Sequence, residues 1–121
     1  MHRPIITLTT DFGSSGPYVA AMKGVILGIN PAASIVDVSH EVGAQNIREA
    51  ALVLAHVAPY FPKATIHVVA VDPGVGSSRR LLGIGASGQF FLGPDNGVLS
   101  WAAREPAPVE LIELTEQQFW L

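Results

Sequence analysis

The sequence predicts an α/β fold, a three-layer sandwich in which helices cover both faces of a mostly parallel sheet. Two observations point there. Short β-branched runs end in Asp, His, Gly or Pro and alternate with segments of helical period. Nearly half of the residues (49%) are apolar and only 14% are charged, the balance of a sheet buried on both faces. With 121 residues the chain can build one hydrophobic core, and residues 1–121 are read as one domain.

The first strand is Ile5-Ile6-Thr7-Leu8-Thr9, which delivers Asp11 at its carboxyl end. Ser14-Ser15-Gly16 is a turn. Pro17 suits a first helical position, and Val19, Met22, Lys23, Ile26 and Ile29 continue a mostly apolar helix that Asn30-Pro31 ends. Ser34 to Ser39 is the second strand, and it releases His40-Glu41 into a loop. A second helix runs from about Asn46 to Ala58 and stops before Pro59. Thr65 to Val71 is the most continuous β-branched run, as expected of a central parallel strand, and it empties into Asp72-Pro73-Gly74.

Leu81 to Ala86 and Gln89 to Gly93 form a hairpin about Ser87-Gly88. Pro94-Asp95-Asn96-Gly97 leads into a helical stretch, Val98 to Arg104, and Val109 to Leu114 is a last strand. This order gives a Rossmann-like, mostly parallel sheet with crossover helices.

Composition excludes several function classes. Net charge is −3, and the few basic residues form no run that could track a phosphate backbone, so no nucleic-acid partner is expected. There is no cysteine, hence no disulfide framework, thiolate nucleophile or Cys-based zinc site. His2, His40, His56 and His67 lack metal-ligand spacing, and Asp37 with His40 is too slight a pair to claim a metal. Without a secretory leader or an uninterrupted apolar span, a soluble cytoplasmic protein with no membrane contact is expected.

Ligands of open α/β sheets bind beyond the carboxyl ends of the strands, and Asp11, His40 and Asp72 each follow a strand. Any one of them also fits a local turn role, because Asp bonds its own backbone in turns. In Val71 to Arg80, Pro73 fixes φ while Gly74 and Gly76 permit close backbone approach to a ligand. There Asp72 and Arg79 can face each other. A carboxylate beside a guanidinium stays ionised and can orient a water, or it can simply close the loop as an ion pair. Gly83 to Gly88 has the letters of a dinucleotide fingerprint but lies in a hairpin, and Gly74 to Arg79 lacks the Lys-Ser/Thr ending of a phosphate loop.

Thr9-Thr10-Asp11-Phe12-Gly13, Tyr18-Val19 with Met22-Lys23-Gly24, Ile35 to His40, Val71 to Gly76 and Gly93 to Gly97 together resemble the S-adenosylmethionine hydroxide adenosyltransferase family. The fluorinases and chlorinases are its relatives. The resemblance runs from about Ile5 to Ser100, within the family's N-terminal domain, and the family's C-terminal β-barrel domain is absent from this sequence. It implies trimers that hold S-adenosylmethionine, a substrate with no further cofactor, where this domain meets the neighbour's barrel. A nucleophile attacks ribose C5′ and methionine leaves, so water or hydroxide yields adenosine and methionine.

Carried over by the resemblance, Asp11 takes the two ribose hydroxyls. Asp72 and Arg79 are two members of a water-activating Asp-Arg-His set, while Tyr18, Gln45, Pro73 and Val75 line the pocket. The halogenases carry Tyr and Thr where this chain has Asp72 and Val75, which favours water over halide. Gly16 stands where many members carry an Asp that meets the methionine amino group. None of the four histidines aligns with the family's catalytic His, so weak or impaired hydrolysis is expected of residues 1–121 alone. Two rival expectations are a non-catalytic adenosyl-binding or oligomerisation module and an S-adenosylmethionine-dependent halogenase.

Overall fold

A computed structural model of the chain describes residues 3–43, 46–71, 81–94 and 110–114. The elements are β1 (Ile5–Thr10), α1 (Tyr18–Ile29), β2 (Ser34–Ser39), α2 (Ile47–Val57) with a 3₁₀ turn at Ala58–Tyr60, β3 (Ile66–Ala70), β4 (Leu81–Ala86), β5 (Gln89–Pro94) and β6 (Glu110–Leu114). One six-stranded sheet has the order β2-β1-β3-β5-β4-β6. β1 pairs in parallel with β2 and β3, and β3 with β5, whereas β4 runs antiparallel to both β5 and β6. Five strands therefore share one direction. The α/β expectation holds, and the expected helix 98–104 lies outside the described residues.

Local chemistry explains the boundaries. Pro17 caps α1 from outside rather than opening it. Asn46 caps α2 by accepting a hydrogen bond from the Glu49 N–H at 3.0 Å. The chain does not break before Pro59. It tightens into the 3₁₀ turn with Pro59 in the first positions, where a missing N–H costs nothing. Ser87 and Gly88 both have positive φ (54° and 78°), as the tight turn between two twisted strands requires. That turn joins β4 to β5 inside Gly83 to Gly88, so the fingerprint letters there are hairpin.

The strand period sorts side chains onto two faces. On one, Val69, Val71, Ile84, Ala86 and Phe91 pack with Val42 and with Ala50, Leu54 and Ala58 of α2 and its 3₁₀ extension. Leu54 is 1% exposed, so truncating it to Ala would cost about 2–5 kcal/mol. On the other face lies Leu8, fully buried, level with Asp37 of β2, to which Lys23 reaches from α1. The two helices thus cover opposite faces. Thr7, Thr9 and Thr10 are buried beside these apolar groups, and the Thr9 hydroxyl has no hydrogen-bond partner.

Candidate active site at the carboxyl ends of β1 and β3

The strand order β2-β1-β3 creates a switch point. From β1 the chain goes through α1 to β2 on one side, whereas the strands that follow β3 in sequence, β4 and β5, lie on the other, so the two connections diverge beyond the carboxyl ends of β1 and β3. Thr10 is level with Ala70. The next residues are Asp11, partly buried, and Val71, fully buried. Val71 is the residue immediately before Asp72, so β1 and β3 are the two neighbouring strands that lead into Asp11 and Asp72.

A chain of polar contacts frames Asp11. The Phe12 N–H donates to Thr10 Oγ1 at 3.2 Å, Thr10 Oγ1 lies 2.8 Å from His40 Nδ1, and the Gly13 N–H donates to the His40 carbonyl at 2.7 Å. His40 Nε2 lies 2.7 Å from Asp37 Oδ1, and Lys23 Nζ donates to Asp37 Oδ2 at 2.7 Å. The hydrogen bonds from Lys23 and then His40 hold the Asp37 carboxyl below its usual range, against a smaller opposing effect of burial. Farther along the loop, the Ser14 N–H and hydroxyl both donate to Glu41 Oε1, at 3.0 and 2.8 Å. The β1–α1 loop is thereby stapled to the start of the β2–α2 loop.

A bulge makes this possible. Leu8 is level with Asp37, but Thr9 is level with Ser39, leaving Val38 as an extra residue in β2. On a regular strand, Asp37 and His40 would point to opposite faces because their spacing is odd. The extra residue returns His40 to the face of Asp37 and brings it level with Thr10. Sequence analysis named His40 as a polar strand end and set Asp37 beside it only to dismiss a metal; Thr10 was not found as a partner, because a one-residue bulge without Gly leaves no mark in the pattern.

Tyr18 opens α1 with its side chain 66% exposed, and its ring lies 5.9 Å from that of Phe12, tilted by 51°. Phe12, which sequence analysis did not single out, directly follows Asp11. The pair offers exposed aromatic surface near a carboxylate. At Gly16 an added Cβ would meet only the Tyr18 ring, at 3.6 Å, an ordinary contact. Of the other expected site residues, Gln45, Asp72, Pro73, Val75 and Arg79 lie outside the described residues. Among the described residues no three His, Asp or Glu side chains converge as a metal site, and no helix is long and apolar enough to cross a membrane.

The opposite end of the sheet differs in chemistry. A cleft of about 340 Å³ there is lined by Pro59, Phe61, Lys63, Ser87, Gln89 and Phe91 among others. Gln89 is committed to the fold: its Nε2 donates to the carbonyls of Ala58, Phe61 and Pro62 at 3.0, 2.9 and 3.2 Å. That leaves Gln89 Oε1 to accept from His67 Nε2 at 3.1 Å, while His67 Nδ1 meets the Thr7 hydroxyl at 2.7 Å. The His67 ring stacks on Phe91 at 4.9 Å and meets the edge of Phe61 at 5.6 Å. Burial pushes the His67 pKa down, partly opposed by the Gln89 hydrogen bond. His67 is a core residue, and His56 is exposed on α2.

The parallel strands around a switch point, with an acid at the first strand end, define a doubly wound α/β domain. The chain belongs to the family described as the SAM hydroxide adenosyltransferase N-terminal domain, whose sequence profile matches residues 6–120. It is 44% identical over 120 residues to an (R)-S-adenosyl-L-methionine hydrolase of Methanocaldococcus jannaschii, a match spanning 95% of this chain and 45% of that protein. A fluorinase of an Actinoplanes species is more distant, 27% identical over 135 residues, covering 93% of this chain and 45% of the fluorinase. The crystal structure of an uncharacterized conserved protein from Thermotoga maritima superposes with a TM-score of 0.88 at 40% identity, over 93% of this chain and 44% of that one. The chain thus spans less than half the length of the relatives it matches.

Proposed function

We propose that residues 1–121 are the N-terminal α/β domain of an S-adenosyl-L-methionine hydrolase acting on the (R) form named for its hydrolase relatives. The placement of Asp11 at the switch point, beside an aromatic pair, carries the reading. A carboxylate with two oxygens suits the adjacent ribose hydroxyls, and exposed rings suit the nucleoside. In the reaction, a water oxygen bonds to C5′ as the C5′–S bond breaks. The sulfur keeps that electron pair and leaves as neutral methionine, and the water loses one proton. A sulfonium needs no acid to depart, so the protein's tasks are alignment and exclusion of bulk water.

By family resemblance, Asp72 and Arg79 hold the attacking water, and Tyr18, Gln45, Pro73 and Val75 shape the pocket. A homotrimer in the cytoplasm is part of the same proposal. Greater similarity to hydrolases than to fluorinases, together with Asp72 and Val75 in place of the halogenase Tyr and Thr, supports water as the nucleophile.

The test is incubation with S-adenosylmethionine in water enriched in a heavy oxygen isotope, using the protein at the full length its gene encodes. Adenosine carrying the heavy oxygen, unlabelled methionine, and loss of turnover in Asp72→Ala are expected. Halide-dependent 5′-halogenated nucleoside would make the protein a halogenase. Binding without any turnover would make it an adenosyl-binding module.

A further inference from the structure

We infer that His40 is the positioning residue that sets the Asp11 carboxylate for a vicinal diol, acting through Thr10 and through its own carbonyl. The inference rests on the proposed role of Asp11 and extends it to a residue that no resemblance assigns. Asp11 sits between two residues that His40 controls. Thr10 is held by the imidazole Nδ1 at 2.8 Å, and the same Thr10 oxygen accepts the Phe12 N–H at 3.2 Å. One residue farther on, the Gly13 N–H is fixed by the His40 carbonyl at 2.7 Å. Gly13 has a φ of +75°, so the chain turns sharply there, and that anchor fixes where the turn falls.

Proton directions in this chain are mutually consistent. The Phe12 N–H only donates, so Thr10 Oγ1 accepts it and has its single proton free for Nδ1. In the tautomer that satisfies every group, Nδ1 accepts that proton and the ring N–H is on Nε2, donating to Asp37 Oδ1 2.7 Å away. Lys23 Nζ holds the other Asp37 oxygen at 2.7 Å and ties the chain to α1. The His40 side chain is 8% exposed, so it stands behind the loop rather than in the ligand's path. A bidentate acceptor tolerates little rotation, since both oxygens must meet adjacent hydroxyls. Fixing the backbone on both sides of Asp11 supplies that constraint.

The test compares adenosine with 2′-deoxyadenosine by titration calorimetry on the full-length protein. Loss of a hydrogen bond to a charged acceptor lowers affinity roughly ten- to a hundredfold, so the wild type should prefer adenosine by that ratio and Asp11→Asn should lose it. His40→Ala and the isosteric Thr10→Val are expected to bring the ratio to within about threefold, by the same principle applied to a mis-set acceptor. His40→Asn, which keeps an acceptor near the Nδ1 position, should restore much of the preference, whereas His40→Gln should not. Thr10→Val and His40→Asn carry the test if His40→Ala does not fold. If Asp11→Asn loses the preference while His40→Ala and Thr10→Val keep it, the positioning role is overturned and the role of Asp11 stands. An equal loss of affinity for both nucleosides, with the ratio unchanged, also overturns it. If the wild type shows no preference, the reading of Asp11 and this inference fall together.

Discussion

Acidification below about pH 6.5 is expected to weaken the fold through His67, a fully buried ring whose pKa is lowered by burial. The unfolded chain takes up a proton near the ordinary histidine value, while the folded chain resists until a lower pH. Across that interval the unfolded state binds more protons, so stability is complete above it and falls as pH drops. For one proton the slope is at most about 1.4 kcal/mol per pH unit. With a denaturant slope of about 1.5 kcal/mol per molar urea, the midpoint moves by up to about 1 M per unit.

The assay is urea unfolding followed by far-ultraviolet circular dichroism at a series of pH values. The control is the double variant Thr7→Val/His67→Phe, which keeps ring stacking on Phe91 and removes both the titrating group and the hydroxyl that faces it. The variant should lose the slope that the wild type shows below pH 6.5. Parallel curves for the two proteins would refute the assignment. The lowered Asp37 carboxyl acts elsewhere on the scale: its contribution is present above its ordinary value of about 3.8 and disappears as pH falls below it.

Thr9→Val replaces a buried hydroxyl that has no partner, and it should leave thermal stability unchanged or raise it by about 1 kcal/mol. A loss of 2 kcal/mol or more on the same scale would mean that the hydroxyl is bonded. Asn46→Ala removes the cap on the Glu49 N–H and should cost about 1 kcal/mol in urea unfolding. Gly88→Ala forces a positive φ of 78° on alanine and brings its Cβ to 3.2 Å from Lys63 Cγ, so a loss of at least about 1 kcal/mol is expected. Gly16→Asp has room beside Tyr18. If the family's amino-group contact is restored there, KM for S-adenosylmethionine should drop while affinity for adenosine stays the same.

How much of this was legible depends on whether the information is local. β1 and β3 were readable because buried parallel strands need uninterrupted β-branched runs, and α1 and α2 because Met22 and Ile26, or Ala50 and Leu54, recur at helical spacing. The Ser87-Gly88 hairpin was legible from turn chemistry. Strand order was not: β5, rather than β4, pairs with β3, and that choice depends on partners distant in sequence. Gln89 illustrates the same limit, since a polar residue opening a strand gives no sign that its amide closes three carbonyls. Within the candidate site, Asp11 was visible as an acid at a strand end. Phe12 looked like any apolar loop residue, and the coupling of Lys23, Asp37, His40 and Thr10 spans two strands and a helix.

The extra residue in β2 gives segment length a meaning that residue identity does not have. Removing Val38 would close the bulge into a regular strand: Asp37 and His40 would then stand two residues apart, on one face, and the Lys23 to Thr10 chain would keep its register. Between Asp37 and His40 the same wiring is reached by a spacing of three with a bulge or of two without one, whereas losing the bulge at the present spacing would turn His40 to the α2 side. When sequences of this family are compared, a one-residue gap in that interval should be read as the loss of the bulge, with the wiring kept where Asp, His and Thr all align.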